Sequence, residues 1–255
     1  MLSLLPATLD PLTFAGVFLV VTCAAIVRAF TGFGFALLAI PILVFFLPPA
    51  QVVPFIFILE IAISLTLLPK LWREVDLRGL RWLLPGAVIA TPFGGILLLA
   101  LSAESLRLAI GLVVLAAALL MWRGLSFKST PGPGAALATG AFSGLLNGAA
   151  GIPGPPVVLF YLSTPAGAAV SRASLIAYFF VTDAMGLAVA GYNGLVDGET
   201  LRWTLWLTPA MLLGSVIGQA AFSRADPALF RRIVLLVLLL TGLAGAIKAA
   251  VDLMA

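Results

Sequence analysis

The sequence predicts an all-α polytopic membrane protein of two inverted repeats, each a broken or re-entrant helix pair followed by three transmembrane helices. Three observations predict it. The 255 residues are 62% apolar and 9% charged, against about 25% charged in soluble proteins. Six apolar stretches reach the length that a helix needs to cross ~30 Å of hydrocarbon, about 20 residues. Two further apolar stretches are too long for one span and are interrupted by glycine and proline. A single buried core helix could imitate one such stretch in a soluble protein, but not six joined by short polar linkers.

Composition excludes several classes of function. With 14 basic and 10 acidic residues, a water-facing surface could not be covered. Disorder needs low hydrophobicity and high charge, and neither is present. There is no histidine and one cysteine, Cys23. Zinc and haem sites, Ser-His-Asp triads, Cys-His dyads and an intrachain disulfide therefore lack their residues. No cofactor or metal is expected. No G-x-x-x-x-G-K-[ST] loop occurs, so the chain has no ATP site of its own, and no ATPase subunit is implied. The net charge of +4 is scattered; it reads as loop charge that orients a membrane protein, not as a nucleic-acid surface. The first ten residues, MLSLLPATLD, carry no basic residue ahead of the apolar stretch, and no A-x-A pattern follows it. A removed signal peptide is not expected.

The first repeat covers residues 1–126. It opens with a broken segment at 12–47, interrupted by Thr31-Gly32-Phe33-Gly34, and continues with spans at about 52–69, 80–101 and 105–122. A linker at 123–134 holds Lys128 and Pro-Gly-Pro at 131–133. The second repeat covers 127–255, with a broken segment at 135–162 and spans at about 173–191, 201–221 and 227–250. Its interruption runs from Asn147 through Gly148, Gly151, Pro153 and Gly154 to Pro156. Glycine admits positive φ and proline removes a donor, so each segment reads as helix, break, second helix. Such backbone survives at membrane depth only inside the protein or beside a watery cavity.

The halves align in order. Gly32 and Gly151 are 119 residues apart, Arg81-Trp82 and Arg202-Trp203 are 121 apart, and so are Asp76 and Asp197. The acidic turns at Glu104 and Asp226 match at 122, and the lone acids Glu60 and Asp183 at 123. The positive-inside rule gives the orientation. If each broken segment enters and leaves on one side, Lys70, Arg73, Arg78, Arg81, Arg123, Lys128, Arg172, Arg224, Arg231 and Arg232 fall on the cytoplasmic side. That reading inverts the second half and puts both termini outside. Two full crossings by the broken segments remain the alternative, because 35–47 and 154–162 are short. Trp72, Trp82, Trp122 and Trp203 lie near span ends and read as interfacial anchors. Cys23 reads as a buried apolar residue.

Inverted repeats with discontinuous helices hold substrate near the midplane, where half-helix ends meet. Helices starting at Gly34 and at Gly154 would each present free N–H groups and a positive dipole end. Converging, they would form an anion pocket with Thr31, Gly32, Phe33, Gly34, Gly148, Gly151 and Gly154 around it. The plainer reading of these glycines is close helix crossing. Arg28 lies in an apolar run, AAIVRAFTGFG. A guanidinium there needs a partner or a watery cavity, and its planar fork suits an oxyanion. A structural pair with Glu60, or snorkelling, is the other reading. Asn147 occupies the matched position in the second half and would add a neutral amide donor. A carboxyl taken out of water favours its protonated form, which makes Glu60 and Asp183 candidates for proton coupling; hydrogen-bonded structural acids are the alternative. Thr31, Ser143, Tyr161, Ser163, Thr164, Tyr178 and Thr182 offer hydroxyls that in membrane helices commonly bond backbone carbonyls.

Two motifs carry a family resemblance. RAFTGFGFALLAIP at 28–41 and GAFSGLLNGAAGIPGPPVVL at 140–159 resemble the paired signatures of the TauE/SafE family of sulfite and organosulfonate exporters. The family's usual run of consecutive glycines is replaced here by Gly32-Phe33-Gly34 and by Gly151-Ile152-Pro153-Gly154. The resemblance implies two related halves, location in a bacterial inner membrane, and export of sulfite, sulfonates or related carboxylates. The expected partners are a small anion and the lipid bilayer, with no nucleic acid; the oligomeric state is left open. The alternatives are a proton- or sodium-linked transporter of a cation or neutral solute with Glu60 and Asp183 as the site, and, more remotely, a passive channel or an intramembrane enzyme.

Overall fold

The computed structural model describes residues 11–102, 131–162, 164 and 167–222, with scattered positions between 105 and 123 and Leu243. All but Leu243 of the span expected at 227–250, half of that at 105–122, and Glu104, Trp122, Lys128, Ser163 and Asp226 lie outside the described residues.

Every regular element among the described residues is helical. The first half comprises α1 (Pro11–Thr31), α2 (Phe35–Leu43), α3 (Pro49–Leu71, extended by a 3-10 turn at Trp72–Glu74) and α4 (Leu77–Ala100). The second comprises α5 (Pro133–Ala150), α6 (Gly154–Leu162), α7 (Gly167–Tyr192) and α8 (Gly198–Phe222). Both broken segments are a long helix, a three-residue interruption and a nine-residue helix. Nine residues rise about 13 Å, less than half of a ~30 Å hydrocarbon core. Helices α1, α3, α4, α7 and α8 are long and apolar enough to cross it.

Local chemistry sets these boundaries. Gly32 (φ 82°) ends α1, Gly34 (φ 96°) precedes α2, and Gly151 (φ 67°) ends α5. Those φ values strain any residue with a Cβ. Proline stands at the first position of α3 and of α5, where its missing donor costs nothing. Asp76 caps α4 by accepting the Gly79 N–H at 3.0 Å, and Asp197 caps α8 by accepting the Thr200 N–H at 2.8 Å. The two aspartates aligned by sequence thus do the same work in each half.

One boundary differs from expectation. Helix α7 begins at Gly167, not at 173. This carries Arg172 out of the expected loop and into the helix, where its guanidinium donates to the Ala29 carbonyl near the end of α1. A cation at a helix C-terminus is favourable, so the early turns of α7 have a partner that a loop would lack.

The halves embrace each other. The first helix of each broken segment packs on the third long helix of the opposite half: α1 on α8, and α5 on α4. Helices α3 and α7, the middle helix of each half, pack together. Both α3 against α8 and α7 against α4 also touch. Exchanging the halves therefore preserves these contacts. The crossed pairs are close because glycine lines them. Gly140, Gly144 and Gly148 on α5 abut the backbone of α4, and Gly214 and Gly218 on α8 abut the backbone of α1. Small residues at four-residue spacing let membrane helices approach backbone to backbone.

Two side-chain expectations are corrected. Trp203 is 1% exposed, stacked between Phe14 and Phe55; it is core, because α8 turns that face toward α1 and α3. Cys23 is exposed, because α1 turns that side away from its neighbours. Trp72 and Trp82 are exposed near helix ends, as interfacial residues would be.

The α8 cap gives a test. The Thr200 N–H and hydroxyl hold the Asp197 carboxyl below the usual carboxylate range. A depressed pKa contributes stability that is present at neutral pH and lost as pH falls through the folded-state value. Asp197→Ala should destabilise the protein by about 0.5–2 kcal/mol. Asp197→Asn should keep most of the cap and lose its acid sensitivity. Thermal melts of the three proteins between about pH 7 and about pH 3 check both outcomes.

Candidate functional site

The two interruptions meet at the centre of the described structure. Between them lies a small cavity lined by Arg28, Gly34, Ala36, Leu37, Glu60, Ile152, Pro153, Gly154 and Phe179. Its volume is about 10 Å³, about what one water needs.

Each break is stitched by side chains that take up the backbone groups it frees. In the first, Arg28 Nη1 donates to the Gly32 carbonyl at 2.9 Å. The Thr31 hydroxyl lies 2.8 Å from the Val27 carbonyl and 2.7 Å from that of Phe33, and it accepts the Phe33 N–H at 3.2 Å. In the second, the Ser143 hydroxyl donates to the Pro153 carbonyl and accepts the Tyr178 hydroxyl at 2.8 Å.

Arg28 is completely buried. Its Nη2 donates to the Ser64 hydroxyl at 3.0 Å, and its guanidinium carbon lies 4.6 Å from the centre of the Phe179 ring. Its Nε is buried without a hydrogen-bond acceptor. A guanidinium has five N–H donors, so most of its capacity is unspent. Glu60 on α3 and Asp183 on α7 are also buried, and each lies in the field of the other and of Arg28. The Glu60 carboxyl also interacts with the backbone N–H of Ala36, in the first turn of α2.

The half-helix ends are unequal. The first intrahelical bond of α2 runs from Leu38 to the Gly34 carbonyl, so Phe35, Ala36 and Leu37 carry N–H groups at its open end. Helix α6 begins Gly154-Pro155-Pro156, and proline has no N–H. It offers its dipole and the Gly154 donor, fewer free N–H groups than α2 presents.

Comparison with known proteins decides the family. A family model described as sulfite exporter TauE/SafE matches residues 17–245. The chain belongs to the sulfite exporter TauE/SafE family. It is 25% identical over 212 residues, 80% of this chain and 82% of the other, to a probable sulfite/organosulfonate exporter TauE from Cupriavidus necator. No solved structure matches the chain. Membership makes this a multi-pass membrane transporter, not an enzyme.

Within this TauE/SafE protein, the cavity gathers four of the residues singled out from sequence, Arg28, Gly34, Glu60 and Gly154, with Asp183 adjoining Glu60. The others sit around it. Thr31, Gly32 and Gly151 shape the turns, with Gly32 against Arg172 and Gly151 against Ile40 and Val53. Phe33 packs between the two hydrophobic clusters. Asn147 is buried and donates its amide to the Thr182 carbonyl at 2.6 Å. Gly148 lies against Thr91 and Gly94 of α4, away from the cavity, because that side of α5 makes the close helix crossing.

Sequence reading missed Ser64, Phe179 and Arg172. A signal existed for two of them. Ser64 is one turn beyond Glu60, and Phe179 one turn before Asp183, so each shares a helix face with a buried acid. Arg172 carried none, since a loop arginine and a helix-end latch look alike in sequence.

The positive-φ glycines supply a prediction. Gly34→Ala and Gly151→Ala each add a Cβ at a left-handed position and against a neighbouring side chain. Each should cost about 1–3 kcal/mol and lower the melting temperature in detergent. Gly134→Ala, where a Cβ meets open space, is the control and should change little.

Proposed function

We propose that this protein exports small sulfur-containing or organic oxyanions such as sulfite, sulfonates or related carboxylates. Arg28 and the N-terminal turn of α2 hold the anion at the midplane, with Gly154 and the dipole of α6 facing them. The observation that carries the reading is the buried Arg28 Nε without an acceptor, beside the open end of α2 in a cavity lined by both interruptions. A buried guanidinium and a helix N-terminus both favour an oxyanion. Family membership and the Cupriavidus necator relative support the chemistry of the cargo. The positive-inside rule supports inverted repeats with both termini outside, and the family resemblance supports the inner membrane.

For an anion that crosses without a counter-charge, energetics favours export. With the cytoplasm negative, moving one negative charge outward gains about 2.3 kcal/mol per 100 mV. A cavity of about 10 Å³ is far smaller than a sulfonate, so loading requires its walls to part. Alternating access supplies that motion in transporters of this architecture.

The test is methanesulfonate binding to the purified protein. Arg28→Ala should weaken binding at least about tenfold, or about 1.4 kcal/mol. Arg28→Lys should fall between, keeping charge and losing the fork. Equal affinity in wild type and Arg28→Ala removes Arg28 from the site. Proton- or sodium-dependent transport of a cation or neutral solute, indifferent to every oxyanion, would move the site to Glu60 and Asp183.

A further inference from the structure

Glu60 and Asp183 come from the middle helix of each half and meet where α3 packs on α7. No N–H or hydroxyl group donates to either Asp183 oxygen, though both are buried, and the Asp183 carboxyl instead pairs with that of Glu60. Two carboxyls present only acceptors to each other unless one bears a hydrogen.

Among the described residues, the charges around the pair are few. Arg28 from α1 is the cation whose field both carboxyls feel. Tyr178 on α7 lies near Asp183, with its hydroxyl given to Ser143, and Tyr161 on α6 lies near Tyr178. Helices α2 and α5 contain no ionisable residue. On α4 and α8 the ionisable residues, Arg78, Arg81, Glu199 and Arg202, stand in the first two turns. Buried charge is tolerated when it is balanced. One proton shared by the two carboxyls leaves one negative charge against the one positive charge of Arg28.

The Glu60 carboxyl also reaches the Ala36 N–H in the first turn of α2, and it lines the cavity with Arg28. It therefore uses the two features that the anion would use. An arriving monoanion must displace that charge, and it leaves the cluster with one negative charge in excess. A second proton on the pair removes the excess.

We propose that Glu60 and Asp183 together form a proton site that fills as the anion binds, one proton for each monovalent anion, so that proton and anion cross together as a neutral pair, driven outward by the anion's own gradient and not by the membrane potential. This rests on the anion reading above. Glu60 is the tethered stand-in for the cargo, and Asp183 receives it when it is displaced and protonated. The proton comes from the water on whichever side the site is open.

Methanesulfonate tests this cleanly, because it stays a monoanion across the working range and brings no proton of its own. Calorimetric titration of the full-length protein is run in two buffers of different ionisation heat, at several pH values. Wild type should take up one proton per anion, with affinity falling about tenfold per pH unit as pH rises. The double variant Glu60→Gln with Asp183→Asn should still bind, take up no proton and lose the pH dependence. Should that variant not fold, the single variants serve: each should shift the midpoint of the pH dependence, and an unchanged midpoint in both overturns the proposal. Wild-type binding without proton uptake at every pH overturns this inference and leaves the anion reading standing, as does undiminished uptake in the double variant. Absence of methanesulfonate binding overturns both.

Discussion

A backbone carbonyl released from its helix in the middle of a bilayer has no water to turn to. The two interruptions create several such groups, and the architecture around them is the set of side chains that answer. Gly32 is answered by Arg28, Phe33 by Thr31, Ala29 by Arg172 and Pro153 by Ser143. Two of these donors are arginines. Cation and break therefore support each other: the guanidinium is tolerated because the carbonyl is there, and the open carbonyl because the guanidinium is.

The halves share a plan and divide its chemistry. Their helices pair in a crossed pattern that survives exchange of the halves, and the break glycines and capping aspartates fall at matching positions. The polar groups do not match. Arg28 has Asn147 as its counterpart, and the donor-rich start of α2 faces the proline-paired start of α6. Positive character is thus concentrated on the first half. The second half contributes Phe179 beneath the guanidinium and Asp183 beside Glu60.

Most of the fold was legible because the forces that set it act along the chain. Apolar run length gave the long helices, and the glycine clusters located both breaks, the first within a residue and the second inside a window, 147–156, wider than the three residues 151–153 that interrupt the helix. The spacing of Asp76 and Asp197 marked them as matched positions; that both cap helices is a finding of the structure. What escaped depends on which side of a helix meets which neighbour. Trp203 and Cys23 were misjudged because a tryptophan near a helix end and a cysteine in an apolar run carry no mark of facing. Gly148 was assigned to the pocket because glycine serves ligand approach and helix crossing equally well, and only the packing of α5 on α4 separates the two uses. Arg28, Glu60 and Asp183 stood out individually, since charge in hydrocarbon is conspicuous. The meeting of Arg28 and Glu60 in one cavity, with Asp183 against Glu60, is tertiary and had no linear signature.

The glycine-lined crossings have a mechanical corollary. Where Gly140, Gly144 and Gly148 seat directly on the main chain of α4, and Gly214 and Gly218 on that of α1, there are no long side chains to swing or re-pack. Each seam behaves as a riveted couple that ties one half to the other. Enlargement of the central space is thereby left to the short helices α2 and α6 and to the α3–α7 contact, which carry the buried acids and the walls of the cavity.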